Sequence, residues 1–310
     1  MTGRWELLRA LGAVAGDPAD ARTAAAALGL PGCGDAEHAD VFVFNCPPYA
    51  SVYLGAEGGL GGEGADRVAG FWRAIGVDPG TPEDPGSGEP DHLTSLLSLY
   101  ASLGEAAAET RTPRTAAALS QMRRALFDEH LWPWLPGYLS AVTDLGVAAL
   151  GAWAELTLRA VKRERGAGQD GAEQDGAGGG GAGTGGAGTG RTALPLALRE
   201  APPPVNGDGG LGELLGGLVA PVRSGLILTR RAVAAGAGQV GAGHRIGERR
   251  FALRAMLESE PDRTAGWLGR EAARWSRRHL GIAAGDPVQQ WWADRATATA
   301  RVLRGQRGAT

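Results

Sequence analysis

Between Gly166 and Gly190 the chain reads GAGQDGAEQDGAGGGGAGTGGAGTG, and no other stretch limits the possible folds as strongly. It has too few side chains to bury anything and too much glycine to hold one conformation, so it predicts a flexible linker. The chain then divides into residues 1–165, a linker at 166–190, and residues 191–310, which either pack onto the first part or stand as a separate module. With 310 residues and 43% apolar content there is enough material for a substantial core on one or both sides.

Both flanks carry helical periodicity. TPRTAAALSQMRRALFDEHL opens with Thr112 as a cap and Pro113 at the first helical position, and Pro133 closes it. WELLRALGAVA, ADRVAGFWRAIG, LPGYLSAVTDLG and GAWAELTLRAVKRE continue the style before the linker. LGELLGGLVAPV, ERRFALRAMLES, RTAGWLGREAARWSRRHL and DPVQQWWADRATATARVL repeat it afterwards. The best strand candidates are DVFVFN (Asp40 to Asn45) and GLILT (Gly225 to Thr229), too short and isolated to make a sheet. No fixed-period repeat appears, so the expectation is an all-α compact bundle rather than a solenoid.

The net charge of −3 conceals a split. Residues 1–165 hold 13 basic against 21 acidic side chains, and residues 191–310 hold 18 against 10, so the two parts carry −8 and +8. Opposite charges of that size point either to different partners or to each other. Cys33 and Cys46 form no CxxC pair, which leaves a disulfide framework and a structural zinc site unsupported. No apolar run approaches the length of a membrane span, and MTGRWELLRALGAVAGD lacks a secretory apolar core, so a cytoplasmic location without membrane insertion is expected.

Catalytic signatures are weak. Two stretches fit GxGxxG by letter, Gly183/Gly185/Gly188 and Gly236/Gly238/Gly241. A dinucleotide site needs a strand before the glycines and a helix after them, and neither stretch has both. A Walker lysine is absent. His38, His92, His130, His244 and His279 show no metal-ligand spacing, although Asp91-His92 and Glu129-His130 are able to meet from two helices. Otherwise they read as structural rings at helix ends. Trp72, Trp132, Trp134, Trp267, Trp275, Trp291 and Trp292 read mainly as core, with a minority able to line a peptide groove. Asp91, after Pro90, reads as the N-cap of the leucine-rich helix that follows.

Three stretches in order carry a resemblance: PPYASVYLGAEGGLGGEGADRVAGFWRAIGV (Pro47 to Val77), EPDHLTSLLSLYASL (Glu89 to Leu103) and LFDEHLWPWLPGYLSAV (Leu126 to Val142). Together they resemble the TorD/DmsD/NarJ family of cytoplasmic chaperones for molybdenum oxidoreductases. The matching residues are Pro47, Pro48, Tyr49, Ser51, Val52 and Tyr53; then Glu89, Pro90, Asp91 and His92; then Phe127, His130, Leu131, Trp134 and Pro136. Ala50 departs from the pattern, standing where many relatives have an acid. The resemblance covers about residues 1–165.

It implies a TorD-like all-α fold with no catalytic centre and no cofactor. The implied partner is an apo-molybdenum oxidoreductase subunit, held by its twin-arginine signal peptide or N-terminal segment until its cofactor is inserted. The client-binding residues it implies are Pro47, Pro48, Tyr49, Tyr53, Trp72, Glu89, Pro90, Asp91, His92, His130 and Trp134, in a monomer or homodimer. A peptide with two arginines and an apolar stretch fits an acidic groove with aromatic walls, which the −8 half is able to supply. Two other classes stay open. One is a nucleic-acid-binding or regulatory protein acting through Arg223, Arg230, Arg231, Arg245, Arg249, Arg250 and Arg254. The other is a metal-dependent helical enzyme using Asp91, His92, Glu129 and His130. ERRFALRAML (Glu248 to Leu257) superficially echoes a twin-arginine peptide, but its favoured reading is an ordinary amphipathic helix.

Overall fold

The computed structural model describes residues 2–78, 89–176, 194–243 and 247–305, with residues 2 and 168–176 described by backbone alone. Helices make up the architecture, and the described residues contain no sheet strand. Leu93–Glu109 is the spine of the first part. Its Leu93, Leu96, Leu97, Tyr100, Leu103 and Gly104 recur at three- and four-residue spacing and are all buried. Thr2–Ala13 lies along it, and Gly104 permits the contact, because a Cβ there would sit 2.4 Å from the Trp5 ring. Thr94 Oγ1 pins the same pair by donating to the Gly12 carbonyl at 2.8 Å.

Pro113–Leu126 starts as expected, with Thr112 at the N-cap and Pro113 in the first turn, although the threonine side chain makes no cap hydrogen bond. The helix then loosens into a π-helical turn, Phe127–Leu131, before Pro133. Leu135–Asp144 and Ala148–Gly176 complete the first part. The last helix runs to Gly176, so residues 166–176 of the expected linker are helical. Extending an existing helix costs far less than nucleating one, which lets even this glycine-rich stretch follow. Residues 177–190 of the linker, including Gly183, Gly185 and Gly188, lie outside the described residues.

Both strand candidates are corrected. Asp40–Asn45 is a π-helical turn that buries Val41 and Phe42 and leaves Val43 and Phe44 outside. Its alternation of valine and phenylalanine imitates a strand, but Asn45 folds back to donate from Nδ2 to the Asp40 carbonyl at 2.8 Å. Leu226, Ile227 and Leu228 of GLILT are an extended link with no strand partner. They are apolar because helices enclose them, at 0%, 7% and 1% exposure. Gly225, at φ +72°, lies so close to Pro287–Gly305 that a Cβ would meet the Ala296 nitrogen at 2.3 Å.

The second part is built on Pro261–Ile282 and Pro287–Gly305, which pack along each other, with Gly210–Val219, Arg230–Val240 and Arg249–Ser259 around them. The GAGQVG stretch is the last turn of Arg230–Val240 together with its cap. Its first glycine admits the Trp267 ring, and Gly241 caps the end at φ +79°. Helix packing therefore explains Gly236, and capping explains Gly241, without a nucleotide. One apolar cluster joins Leu8, Tyr138 and Trp153 to Leu215, Trp267, Trp275 and Trp292. Trp292 Nε1 donates to the Pro133 carbonyl at 2.6 Å, and Trp132 Nε1 donates to Asp286 at 3.1 Å. The charge split is met partly within the chain. Arg231 pairs with Asp40 at 2.6 Å, and Arg274 and Arg278 both pair with Asp144, each with a contact at 2.6 Å.

Candidate binding site at the Asp91–His92 elbow

Pro90 forces the incoming chain toward an extended path, and Tyr49 and His92 meet as an isolated antiparallel bridge. Leu93 N–H donates to the Pro48 carbonyl at 2.8 Å, and Ala50 N–H to the Asp91 carbonyl at 3.0 Å. The Pro-Pro-Tyr and Glu-Pro-Asp-His stretches are thus clamped backbone to backbone.

Asp91 is not the N-cap of Leu93–Glu109. That position belongs to His92, whose Nδ1 accepts from the Thr94 N–H at 3.2 Å. Asp91 is 3% exposed and points its carboxylate at the Ser51 N–H, 3.0 Å away. It therefore caps Ala50–Leu54 from across the chain. Spacing alone fits both assignments, and the tertiary clamp decides between them. Ser51 also accepts on Oγ from the Gly61 N–H at 3.2 Å, which ties the glycine-rich loop 55–64 to the same point. Gly64 allows this close approach, since a Cβ would lie 3.0 Å from the Ser51 Cα.

Burial separates the candidate residues. Tyr53 stacks on Trp134 at 5.2 Å, and the two are 2% and 1% exposed. Tyr53 donates to the Pro47 carbonyl at 3.0 Å and Trp134 Nε1 to the His130 carbonyl at 2.8 Å, so both rings serve as supports. Pro48 is buried as well. Pro47, Tyr49, Trp72, Pro90 and His92 are half-buried, and Glu89 is exposed. The Tyr49 and His92 rings meet edge to face at 4.7 Å. Burial, and then hydrogen bonding to Glu89, raise the pKa of the Tyr49 phenol. Burial lowers that of His92, so the ring is neutral at neutral pH. With Nδ1 accepting from Thr94, its proton sits on Nε2.

His130 belongs to a different neighbourhood. It packs on Phe71 at 4.8 Å, and burial followed by the Arg67 charge lowers its pKa to about 4. Glu129 accepts from the Leu196 N–H at 2.6 Å. The Asp91-His92 and Glu129-His130 pairs thus answer to separate partners. Among the described residues no group of three or more His, Cys, Asp or Glu side chains is placed to hold a metal ion.

Sequence reasoning missed the cleft beside the glycine-rich loop, about 300 Å³ in volume and lined by Leu54, Glu57, Leu60, Glu63, Arg67 and Glu200 among others. Arg67 ties Glu63 and Glu200 together at 2.9 and 3.3 Å. Loop residues with high glycine content gave no signal for it, and Glu200 comes from beyond the linker. The elbow and the cleft share Ser51 as their pin and present carboxylates with half-buried aromatics.

Residues 19–139 match the family model described as nitrate reductase delta subunit, which supports the NarJ/TorD-type family that the three motifs pointed to. All the candidate elbow residues lie inside that span. The family implies a chaperone role in maturing a molybdenum oxidoreductase, one of whose subunits is the kind of partner, rather than a catalytic role. No curated protein and no solved structure matches the chain. Among the described residues no helix is long and apolar enough to cross a membrane.

Proposed function

We propose that this protein is a cytoplasmic maturation chaperone that holds the twin-arginine signal peptide, or another N-terminal segment, of an apo-molybdenum oxidoreductase subunit before export or assembly. The observation that carries the reading is the double tie at Ser51, which fixes a half-buried aromatic elbow and an acidic cleft to one point. Glu89 and Glu57 supply carboxylates for guanidinium groups, while Glu63 and Glu200 are already shared with Arg67. Tyr49, Trp72, Pro47 and Pro90 supply apolar contact, and His92 offers its Nε2–H to a peptide carbonyl. Tyr53, Asp91, His130, Pro48 and Trp134 act behind them by holding the shape.

The nucleic-acid reading draws less support, because many of the second part's arginines have partners within the chain. Arg223 pairs with Glu213, Arg250 donates to the Gly212 carbonyl at 3.2 Å, and Arg231, Arg274 and Arg278 meet acids of the first part. Calorimetric titration of the full chain with a twin-arginine signal peptide at low salt tests the proposal. Saturable binding that falls when the two arginines become glutamine is expected. Absence of binding, together with recovery of no oxidoreductase subunit on co-purification, overturns it.

A further inference from the structure

A second concave surface lies away from the elbow, where the π-helical turn Asp40–Asn45 faces the helices Arg230–Val240 and Arg249–Ser259. Its volume is about 390 Å³, inside the roughly 300–1,000 Å³ usual for binding pockets. The apolar floor comes from Val233, Ala237, Ala252 and Met256, while Arg230, Arg231 and Arg249 stand at the wall against one acid, Asp40. The turn leaves Phe44, which lines the pocket, 50% exposed, an unusual placement for a large apolar side chain.

The arginines are not equivalent. Arg231 is committed to Asp40 and to the Leu145 carbonyl, both at 2.6 Å. Arg230 lies over the Phe44 ring, 5.6 Å from its centre. Arg249 donates from Nη1 to the Leu228 carbonyl at 2.9 Å and has no carboxylate partner among the described residues. A half-buried guanidinium paired only with a neutral carbonyl keeps donors available for an anion. The exposed Phe44 in the same pocket extends the surface beyond the size of a small anion.

We infer that this pocket docks an acidic amphipathic peptide segment, with a carboxylate on Arg249 and Arg230 and a bulky apolar side chain on the Val233–Met256 floor against Phe44. Its basic wall comes from residues 230–256, remote in sequence from the elbow, so the inference does not depend on how the elbow is used. The partner here is negatively charged, the opposite of the elbow's cationic ligand.

The test is fluorescence anisotropy of the full chain with a labelled amphipathic peptide that sets glutamates beside leucines, against the same peptide with glutamine for glutamate. Saturable binding of the acidic peptide is expected, weakened about tenfold by the glutamine replacement and by Arg249→Gln, and reduced by Phe44→Ala. Phe44 is exposed, so its variant reports on the site even where Arg249→Gln impairs folding, and thermal melting of each variant separates the two effects. Equal binding of both peptides overturns the inference, as does unchanged binding by a folded Phe44→Ala and Arg249→Gln pair. Displacement by inorganic phosphate as efficient as by the acidic peptide also overturns it and assigns the pocket to a small anion.

Discussion

The Asp91 carboxylate accepts the backbone N–H of Ser51 at 3.0 Å, and both residues are buried. Two residues forty positions apart in sequence thereby become one structural unit, since Ala50 also donates to the Asp91 carbonyl. Removing the carboxylate strands a buried donor at the first turn of Ala50–Leu54. Asp91→Ala should therefore lower unfolding free energy by about 2 kcal/mol, and Asp91→Asn, which keeps an acceptor oxygen, by about 1 kcal/mol. Urea unfolding of the two variants checks the order. Ser51→Ala keeps the bond to Asp91 and loses only the acceptor for Gly61, so it should cost less than Asp91→Ala.

This pair also shows what sequence could and could not reveal. The leucine spacing of 93–109 was legible because a helix on a core repeats its buried positions locally. Asp91 beside Pro90 carried a capping signal, but the amides it caps belong to another segment, and the local preference for aspartate over histidine at an N-cap selects the wrong residue. DVFVFN failed for the same reason. Its apolar alternation is real, whereas Asn45 closing on Asp40 and accepting on Oδ1 from the Arg231 N–H at 2.9 Å depends on the second part of the chain. Glu200 in the acidic cleft was invisible because only the tertiary fold returns it to loop 55–64.

The glycines of GAGQVG separate packing from propensity. A Cβ at Gly236 would lie 2.4 Å from the Trp267 ring, which is 2% exposed and has no room to withdraw. Gly238 has open space around it on the same helix. Gly236→Ala should destabilise by about 2 kcal/mol or more, while Gly238→Ala should stabilise by about 0.5–1 kcal/mol. Thermal unfolding of the two single variants reads the opposite signs. A matching gain in both would show that the Trp267 contact is not formed.

Acid should weaken the fold before the carboxylates titrate. Burial lowers His130 and His279 from 6.5 to about 4. In the unfolded chain these rings take up protons near pH 6.5, whereas in the fold they stay neutral down to about pH 4. Their contribution is therefore full above pH 6.5, declines between 6.5 and 4, and is level below. The linkage amounts to about 3 kcal/mol per ring. Stability measured in urea at intervals across that window should fall with pH, and His130→Gln should flatten the slope. A slope unaltered by that substitution would remove His130 from the account.

Asp286 gives the sharpest test of how the parts on either side of the glycine-rich tract hold together. Its Oδ1 accepts from the Val288 and Gln289 amides at 3.0 and 3.2 Å, capping Pro287–Gly305. Its Oδ2 accepts from Trp132 Nε1 at 3.1 Å and from Arg165 Nε and Nη2 at 3.2 and 3.1 Å. Asp286 is 8% exposed and the Arg165 side chain 11%, so water is a poor substitute for either partner. Asp128, 2.5 Å from Arg165, still compensates part of the charge when Asp286 is removed. Asp286→Ala should accordingly cost about 3 kcal/mol, toward the lower end for breaking a buried pair. Asp286→Asn keeps one accepting oxygen and should fall between that variant and the native chain. A loss near the roughly 0.5 kcal/mol of an exposed ion pair would mean that the two parts do not meet at this residue.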